Sequence, residues 1–312
     1  MAFPAPSLTA PARDITPLAR HANTARLRTA SAAADARLHS GLFHLQSSPV
    51  TVATTDLELT RVRSLLGARA ARFDLAVLPE CTSTNTLLGE RASGGAPSGS
   101  VIWALEQTAG RGRRGRVWRS KAGDSLTFSL LWRFTTSNAL AGLSLAVGLA
   151  VAQALEGLGA RKVQLKWPND IWLDGRKLGG ILVELQQVGT RCAAIIGIGV
   201  NLLPPPAEWI DQEVAGLSQA LDRTADGAEV LAAILGTLGP LLDRFSEDGF
   251  APFQADWMAR HALQAQAVRL LDDRTSLDAV CLGVDPEGAL LLDVGGSVRR
   301  ILGGDVSLRG AR

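Results

Sequence analysis

The sequence predicts a protein of mixed helices and strands that ends in a small β-barrel, and three observations support this. Apolar segments of helical and of strand length follow one another from residue 73 onwards. Several short apolar runs end in turn residues, as at Trp167-Pro168-Asn169-Asp170. Beyond residue 267, short β runs are separated by further turn signals such as Asp285-Pro286-Glu287-Gly288, which is typical of a small barrel.

Apolar periodicity gives the order of the elements within residues 73–262. Short runs bounded by turn residues predict strands, and the uncharged run at 138–155 predicts a buried helix. That run includes Gly142, Ser144 and Gln153 and is shorter than the ~20 strongly apolar residues that cross a membrane, so no membrane association is expected. The predicted elements are strands at 75–78, 101–106, 125–134, 163–166, 171–173, 178–185 and 192–200, and helices at 84–91, 138–155 and, in pieces, from 211 to 260.

The first part of the chain has a different composition. It is rich in Ala, Ser, Thr, Pro and Arg and has few large apolar residues, so an N-terminal extension at 1–72 is predicted to be largely disordered or loosely helical. An organellar transit peptide has a similar composition, but a GC-rich bacterial gene accounts for it too and is the interpretation we prefer. The predicted division of the chain is the extension at 1–72, a central domain at 73–262 and a C-terminal domain at 263–312.

Composition excludes several classes of protein. The net charge of +2 argues against the generally basic surface of a nucleic-acid-binding protein. Cys81, Cys192 and Cys281 are far apart and lack Cys-x-x-Cys spacing, which argues against a disulfide framework and a zinc site and fits a reducing cytoplasm. Only His261 of the four histidines lies beyond the first fifty residues, so a Ser-His-Asp arrangement is hard to assemble.

The most informative motif is the stretch 110–116, which holds three glycines and four arginines and is followed by Trp118. Glycines let backbone N–H groups approach an anion closely, and guanidinium groups add fixed charge with forked donors. The pattern Gly-x-Gly-x-x-Gly also matches a dinucleotide fingerprint, but arginines fill the intervening positions and no helix is predicted next. An Arg-Gly nucleic-acid patch is the other alternative. An anionic ligand is therefore predicted.

Three further clusters accompany this loop. The segment 166–170 ends a strand with a lysine, a Trp-Pro corner and two polar residues, although Pro, Asn and Asp also make plain turns. Residues 176–184 add a second basic pair and two glycines that open a strand, and the two lysines with the arginine loop suit a polyphosphate. Residues 197–202 end a strand with glycines and an asparagine, where tight packing and a ligand contact are equally good interpretations. Residues 81–85 precede a helix, so Ser83 or Thr82 is an N-cap candidate.

In this order, the segments 83–85, 110–118, 166–184 and 197–202 together resemble the biotin protein ligase family of bacterial type. The resemblance covers about 75–309, and 288–292 and 303–309 are similar to the small barrel of bacterial members. It implies an α+β fold with a mixed sheet flanked by helices, followed by an SH3-like barrel. It also implies a biotin–[biotin carboxyl carrier protein] ligase that forms biotinyl-5′-AMP from biotin and ATP and then transfers biotin to a carrier lysine.

The resemblance further implies a role for each matching residue. Lys177 would bridge the biotin carboxylate and the α-phosphate, and Arg113 would guard the adenylate. Asp170 would orient the incoming lysine or help to hold Mg²⁺, and the metal ligands are otherwise unknown. The expected biotin-binding residues are Ser83, Thr84, Asn85, Gln107, Gly110, Arg111, Gly112, Gly115, Arg116, Gly179, Gly180 and Leu182. The expected nucleotide-binding residues are Trp118, Lys166, Asn169, Asp170 and Asn201.

Partners follow from the same resemblance. They are biotin, ATP and Mg²⁺ and the biotin carboxyl carrier protein of acetyl-CoA carboxylase, and the resemblance also allows a homodimer. The chain departs from bacterial relatives that repress biotin synthesis genes, because 1–72 shows no helix-turn-helix pattern, so DNA binding is not expected. Trp209 is a candidate for covering the adenine or an ordinary loop aromatic. A lipoate ligase and a nucleic-acid-binding regulator are the competing functions.

Overall fold

The computed structural model describes residues 49–135, 140–188, 191–206, 213–221, 223–224, 226–271, 276–302 and 307–310. The helices are α1 (Pro49–Leu66), α2 (Thr84–Ser93), α3 (Leu143–Gly157), α4 (Gly227–Asp248) and α5 (Gln254–Met258). The strands are β1 (Asp74–Cys81), β2 (Ser100–Gln107), β3 (Ser125–Phe134), β4 (Val163–Lys166), β5 (Asp170–Leu173), β6 (Arg176–Val188), β7 (Arg191–Asn201), β8 (Ala267–Leu271), β9 (Ser276–Val284), β10 (Leu290–Val294), β11 (Ser297–Ile301) and β12 (Ser307–Gly310).

The central domain is built on a seven-stranded mixed sheet with the order β1-β2-β3-β7-β6-β5-β4. Strands β1 and β2 are parallel, and every other neighbouring pair is antiparallel. The connection between the parallel strands passes through α2, as a crossover requires. The predicted α+β class with a mixed sheet is confirmed.

Each face of this sheet packs against its own helices. Successive strand residues point to opposite faces, so Ile102 and Ile195 contact the cluster around Leu88 of α2. Their neighbours Trp103 and Ile196 join the larger core formed with α1, α3 and α4. The predicted buried helix is α3, whose residues from Leu145 to Ala152 are all buried. Among the described helices, none is long and apolar enough to cross a membrane.

For residues 49–72 the expectation of disorder is wrong, and the alternative expectation of helix is met by a helix that is packed and not loose. These residues form α1 and a 3-10 helix at Gly67–Arg72. Val62 is 0% exposed and Leu66 is 6% exposed in the main core, and Arg61 pairs with Asp226 at the start of α4 at 2.5 Å. The weak periodicity of this segment hid the helix, because much of its stability comes from packing against α4, which lies far away in the sequence, and against the nearby β1. Residues 1–48 lie outside the described part of the chain.

A second difference concerns the helices predicted from residue 211. Among the described residues, the first α-helix of this region begins only at Gly227, after a short 3-10 helix at Leu217–Gln219. The Asp226 carboxylate caps it and accepts hydrogen bonds from Ala228 N and Glu229 N at 2.9 and 3.3 Å. Residues 213–215 run beside the start of β6 instead, with Lys177 N donating to Glu213 O and Ala215 N donating to Lys177 O. These backbone hydrogen bonds with β6 explain why residues 213–215 do not form the helix that their local sequence predicts.

The C-terminal domain contains a five-stranded antiparallel sheet with the order β11-β10-β9-β8-β12. Its inner residues, among them Val268, Cys281, Leu290 and Leu308, are buried and join the main core. The predicted β domain is therefore present, while the closure of this sheet into an SH3-like barrel stays a prediction. The segment that leads into this domain is hydrogen-bonded to β4. Leu165 N donates to Arg260 O, and Ala262 N donates to Leu165 O.

His261 lies at this junction and is 7% exposed. Its ring packs on Trp257 with a centroid distance of 4.7 Å, and its Nε2 atom has no hydrogen-bond partner among the described residues. Burial lowers the pKa of His261 from 6.5 to about 4, against a smaller raising effect of the Gln264 side chain. His261 is therefore neutral in the folded protein at physiological pH.

Replacing Leu66 tests whether α1 belongs to the folded domain. We expect Leu66→Ala to lower the free energy of unfolding by about 2–5 kcal/mol, because it leaves a cavity beside the core. Leu57 of the same helix is 69% exposed, so Leu57→Ala is the matched control and should change stability by less than about 0.5 kcal/mol. Equal effects in urea denaturation would mean that α1 does not contribute to the core.

The buried histidine predicts a loss of stability in acid. Between pH 6.5 and about 4, the unfolded chain takes up a proton that folded His261 refuses, so stability falls as pH falls through this window. The expected contribution is on the order of 3 kcal/mol. His261→Phe retains an aromatic ring against Trp257 and removes the titration, so its unfolding free energy should depend less on pH. Parallel pH profiles for the two proteins would contradict this.

Candidate active site

One cavity of about 380 Å³ gathers residues from segments that are distant in the sequence. Its walls come from the start of α2, the arginine-glycine loop at 110–118, the β4–β5 turn, β6 and β7, with Leu308 of β12 at one side. All the predicted site residues line it except three glycines. Those lining it are Ser83, Thr84, Asn85, Gln107, Arg111, Gly112, Arg113, Arg116, Trp118, Lys166, Asn169, Asp170, Lys177, Gly180, Leu182 and Asn201.

Buried polar groups at the start of α2 form a polar floor, made of Thr84, Asn85, Gln107 and Ser129. The Gln107 Oε1 atom accepts from Thr84 N at 2.7 Å and from Thr84 Oγ1 at 3.1 Å. Ser129 Oγ lies 2.7 Å from Thr84 Oγ1 and 2.6 Å from Asn85 Oδ1. Because the Gln107 oxygen is already engaged, its amide nitrogen is left as a donor for a ligand.

Ser129 supports the site from beneath, a role that the sequence did not reveal. It is 0% exposed within β3, and its immediate neighbours Phe128 and Leu130 are apolar, so the local sequence does not indicate its contact with the start of α2. Register decides its role, because Ser129 lies opposite Gly197 of β7 and below the start of α2. The N-cap prediction was more successful: Ser83 Oγ accepts from Thr86 N at 3.5 Å as the N-cap of α2.

Glycines of β7 make room for two side chains that line the cavity. A Cβ atom at Gly197 would lie 2.3 Å from Asn85 Oδ1, and one at Gly199 would lie 2.4 Å from the Trp118 ring. The Trp118 indole also donates to Thr127 Oγ1 at 3.1 Å, which holds the ring against the strand. For the segment 197–202, close packing and a ligand contact were both left open. The close packing is present, and the residues that pack on these glycines line the cavity.

The arginine-glycine loop is closed by backbone hydrogen bonds. Trp118 N donates to Gly110 O at 2.9 Å, and Gly112 N donates to Arg116 O at 2.7 Å. Arg114 and Gly115 turn the chain at φ values of 59° and 68°. The loop is thus hairpin-like, with one 3-10 turn at Arg113–Gly115. It does not begin the α-helix that the rejected dinucleotide fingerprint would require.

Three glycines predicted to touch biotin do not line this cavity. A Cβ atom at Gly110 would lie 2.3 Å from Trp118 O, and one at Gly179 would lie 2.4 Å from Gly199 O. Gly110 therefore closes the base of the loop, and Gly179 lets β6 and β7 approach each other. Gly115 supplies the left-handed turn and lines a neighbouring opening between the loop and β6.

A cluster of charges surrounds the β4–β5 turn. The Lys177 ammonium lies 2.7 Å from the Asp170 carboxylate, and both side chains are 18% exposed. A β-bulge between Ile171 and Trp172 shifts the β5–β6 register at this point. Arg113 Nη1 donates to Asn169 Oδ1 at 3.2 Å, and Asn169 is held to Ile181 O at 2.9 Å through its amide nitrogen. The turn thus presents one carboxylate among several cations.

Lys166 is the most deeply buried cation of this cluster, at 5% exposure. Its Nζ atom lies 4.6 Å from the centroid of the Trp172 ring. Burial lowers the pKa of Lys166 to about 8; the Asp170 charge raises it, and the Arg309, Lys177 and Arg116 charges lower it further. An anion placed in the cavity would relieve this accumulation of positive charge, so the site favours a phosphate or a carboxylate.

The C-terminal domain contributes to the same region. Trp167 is 2% exposed, and its indole nitrogen donates to Gly288 O at 3.2 Å. Asn201, at the end of β7, donates to Ala215 O at 3.1 Å and lies at the edge of the cavity. Trp209, the candidate for covering the adenine, lies outside the described residues. The described part of the chain contains no group of three His, Cys, Asp or Glu residues that could hold a metal ion by itself.

The sequence matches two known protein families, and the structure is similar to solved structures of one of them. Residues 77–201 match the Biotin/lipoate A/B protein ligase family, and residues 266–309 match the Biotin protein ligase C terminal domain. The fold and the site therefore define a protein ligase of the biotin and lipoate class.

Individual relatives show to which family within this class the chain belongs. The "Bifunctional ligase/repressor BirA" of Escherichia coli is 37% identical over 82% of this chain and 80% of its own length. The "Biotin--[acetyl-CoA-carboxylase] ligase" of Mycobacterium tuberculosis is 33% identical over 78% of this chain and 91% of its own. The solved biotin protein ligase from Aquifex aeolicus in complex with biotin and ATP has a TM-score of 0.68, with 31% identity, 76% coverage of this chain and 99% of that one. The chain belongs to the biotin protein ligase family.

The glycine of β7 under Trp118 offers a test of the cavity. We expect Gly199→Ala to displace the ring and to weaken binding in the cavity by about five- to a hundredfold, since overpacking costs about 1–3 kcal/mol. Calorimetric titration with biotin and with ATP, the two ligands of the Aquifex aeolicus structure, measures this. The control is Gly157→Ala, because nothing lies within 4 Å of that added Cβ. Unchanged affinity in Gly199→Ala would show that Trp118 does not shape the binding site.

Proposed function

We propose that this chain is an ATP-dependent biotin protein ligase. It forms biotinyl-5′-AMP from biotin and ATP and then transfers biotin to a lysine of the biotin carboxyl carrier protein of acetyl-CoA carboxylase. The observation that carries this proposal is the shared cavity, in which a buried polar floor and a cluster of cations lie along one strand. Along β6, Lys177 stands beside Asp170, and Leu182 lies beside Asn85. These two positions are roughly 16 Å apart at strand spacing, enough for an extended ligand with a polar ring at one end and a phosphate at the other.

In this proposal the floor binds the ureido ring of biotin. Thr84 is hydrogen-bonded to Gln107, and Asn85 is hydrogen-bonded to Ser129, so the remaining donors and acceptors of the floor are oriented before the ligand arrives. Leu182 and the exposed face of Gly180 supply an apolar wall and an open path along β6. Arg111, Gly112 and Arg116 of the loop cover the ligand, and Ser83 lies at the rim of the floor.

The first step joins two anions, so it needs cations at the reacting atoms. A biotin carboxylate oxygen forms a bond to the α-phosphorus of ATP, and the bond from that phosphorus to the pyrophosphate oxygen breaks. Lys177 is assigned to the carboxylate and the α-phosphate, and Asp170 holds its ammonium in place at 2.7 Å. Lys166, Asn169, Asn201 and Trp118 are assigned to the nucleotide, and Arg113 to retention of the adenylate.

The second step replaces AMP by an amine. The neutral amine of the carrier lysine attacks the biotinyl carbonyl, AMP leaves with the bonding electrons, and the amine loses a proton. Asp170 is assigned to orient this amine, because it is the carboxylate among the described residues that line the cavity. Lys166 keeps its positive charge near the leaving phosphate at pH values below about 8.

Mg²⁺ fits this site as a companion of the phosphates. It commonly binds through one or two carboxylates together with substrate phosphate oxygens, and Asp170 is a carboxylate placed among the nucleotide-binding residues. When bound, the ion would neutralise phosphate charge. Three free cysteines fit a reducing compartment, which we infer to be the cytoplasm. A homodimer and the lack of DNA binding stay predictions.

The decisive experiment is incubation of the purified protein with biotin, Mg²⁺ and α-labelled ATP. Labelled biotinyl-5′-AMP should form and should be consumed when a biotin carboxyl carrier domain is added, with biotin appearing on its lysine. If no adenylate forms, the proposed function is wrong.

Removal of Lys177 tests the catalytic assignment. We expect Lys177→Ala to fold normally but to form adenylate about a hundredfold more slowly, because a cation that stabilises developing charge is lost. Single-turnover formation of labelled adenylate measures the rate. Lys162→Ala is the matched control: Lys162 also pairs with an aspartate, Asp174, at 3.1 Å, but that pair is exposed and lies outside the cavity. A normal rate in Lys177→Ala would remove the assignment.

Lipoate ligation is the second candidate, because the matched family includes both biotin and lipoate ligases. The polar floor favours biotin, since a dithiolane ring offers no hydrogen bonds to the buried Thr84, Asn85 and Gln107. A ligand stabilises the folded state by RT ln(1 + [L]/Kd), so biotin should raise the melting temperature more than lipoate at equal concentration. The reverse order would favour the lipoate ligase.

A further inference from the structure

Glu184 of β6 makes two contacts that the functional assignments above do not use. Its carboxylate lies 3.1 Å from Arg111 Nη2 of the arginine-glycine loop. It also accepts a hydrogen bond from Asn85 Nδ2 at 2.7 Å. One side chain therefore touches both the loop over the cavity and the polar floor beneath it.

The contact with Asn85 continues into the floor. Asn85 Oδ1 receives a hydrogen bond of 2.6 Å from Ser129 Oγ, and Asn85 Nδ2 faces Glu184 and Leu182 O. Because a carboxylate only accepts hydrogen bonds, Glu184 fixes which end of the Asn85 amide faces the strand. The amide orientation in turn sets the direction of the hydrogen bonds around Ser129 and Thr84.

The contact with Arg111 lies on the outer side of the loop. Arg111 Nη2 also donates to Thr86 Oγ1 at 3.1 Å, so the guanidinium bridges α2 and β6. Glu184 and the loop residues Arg111–Gly115 border the same opening of about 480 Å³ beside the main cavity. An ion pair at this place closes one side of the loop against the sheet.

Neighbouring residues of β6 lack this double contact. Gln186 points to the same face two residues further along and donates to Gly89 O at 3.3 Å, so it contacts α2 but lines neither cavity. Gln186 is thus a matched comparison for any effect of Glu184 that merely reflects packing of α2 on the sheet.

We propose that Glu184 is a positioning residue that latches the arginine-glycine loop to the polar floor and so slows the release of biotinyl-5′-AMP. This inference rests on the proposed function for the identity of the ligand, but the latch itself is a property of the protein alone. The pair is partly exposed, with 49% of the Arg111 side chain and 37% of the Glu184 side chain accessible. Such pairs contribute modestly and weaken in salt, which gives the latch a measurable signature.

Two variants separate the two contacts. Glu184→Gln keeps an oxygen that accepts from Asn85 and loses the charge that attracts Arg111. Glu184→Ala loses both. Both are compared with the wild type and with Gln186→Ala, and each is checked for an unchanged melting temperature.

The first measurement uses the protein without ligand. Trypsin cuts after arginine, and the loop holds four of them at 111–116, so the rate of cutting within the loop reports how often the loop opens. We expect Glu184→Gln to be cut about two- to fivefold faster at low salt. The wild-type rate should rise towards that of the variant as salt is added, while Gln186→Ala should match the wild type.

The second measurement follows labelled biotinyl-5′-AMP, formed in place, by filter retention after a chase with unlabelled adenylate. We expect about two- to fivefold faster release from Glu184→Gln and at least about tenfold from Glu184→Ala, because a charged hydrogen bond to the floor is also lost. The latch is contradicted if trypsin cuts the loop of Glu184→Gln, and the variant releases biotinyl-5′-AMP, at the wild-type rates. It is also contradicted if Gln186→Ala has the same effect as Glu184→Gln. Absence of adenylate in the wild type, with faster cutting in Glu184→Gln, would instead overturn the proposed function and leave the latch supported.

Discussion

The site depends on one face of β7 that carries no side chain at two successive positions. Residues 197 and 199 point to the α2 side of the sheet, opposite Ser129 and Thr127 of β3 and opposite Leu182 and Gly180 of β6. Asn85 and Trp118 occupy the space above the two glycines. A Cβ atom at position 197 would lie 2.3 Å from Asn85, and one at position 199 would lie 2.4 Å from Trp118. Because these two glycines have no side chain, the start of α2 and the arginine-glycine loop can pack directly on the sheet.

Charge is distributed along β6 in a way that suits an elongated anionic ligand. Lys177 and Asp170 form a close pair at one position, while Glu184 engages Arg111 and Asn85 further along the strand. Lys166 is buried beside Trp172, and its lowered pKa reflects burial more than any single neighbour. Cations held close together without enough carboxylates make the cavity selective for anions, since a bound phosphate would supply the missing negative charge.

Much of the site could be predicted from the sequence because its polar and glycine-rich segments are short and contiguous. The loop at 110–118, the turn at 166–170 and the glycines of β7 all lie where expected, and most of their residues line the cavity. Prediction failed where a residue acts through the register of distant strands. Ser129 is surrounded by apolar residues in its own strand, and Gly110 and Gly179 serve loop closure and strand approach instead of lining the cavity. Glu184 looked like the end of an ordinary strand for the same reason.

By itself, the sequence determined the order of the strands in the central domain and which residue types are available for binding an anion, because these follow from local composition and spacing. The family followed from the resemblance of its ordered motifs to the biotin protein ligases. Only the tertiary structure decided that α1 belongs to the core, that residues 213–215 pair with β6, and that Trp167 is anchored to the C-terminal domain. These features rest on contacts between residues far apart in the chain. Their free energy depends on which surfaces meet in the folded protein, and local sequence does not specify that.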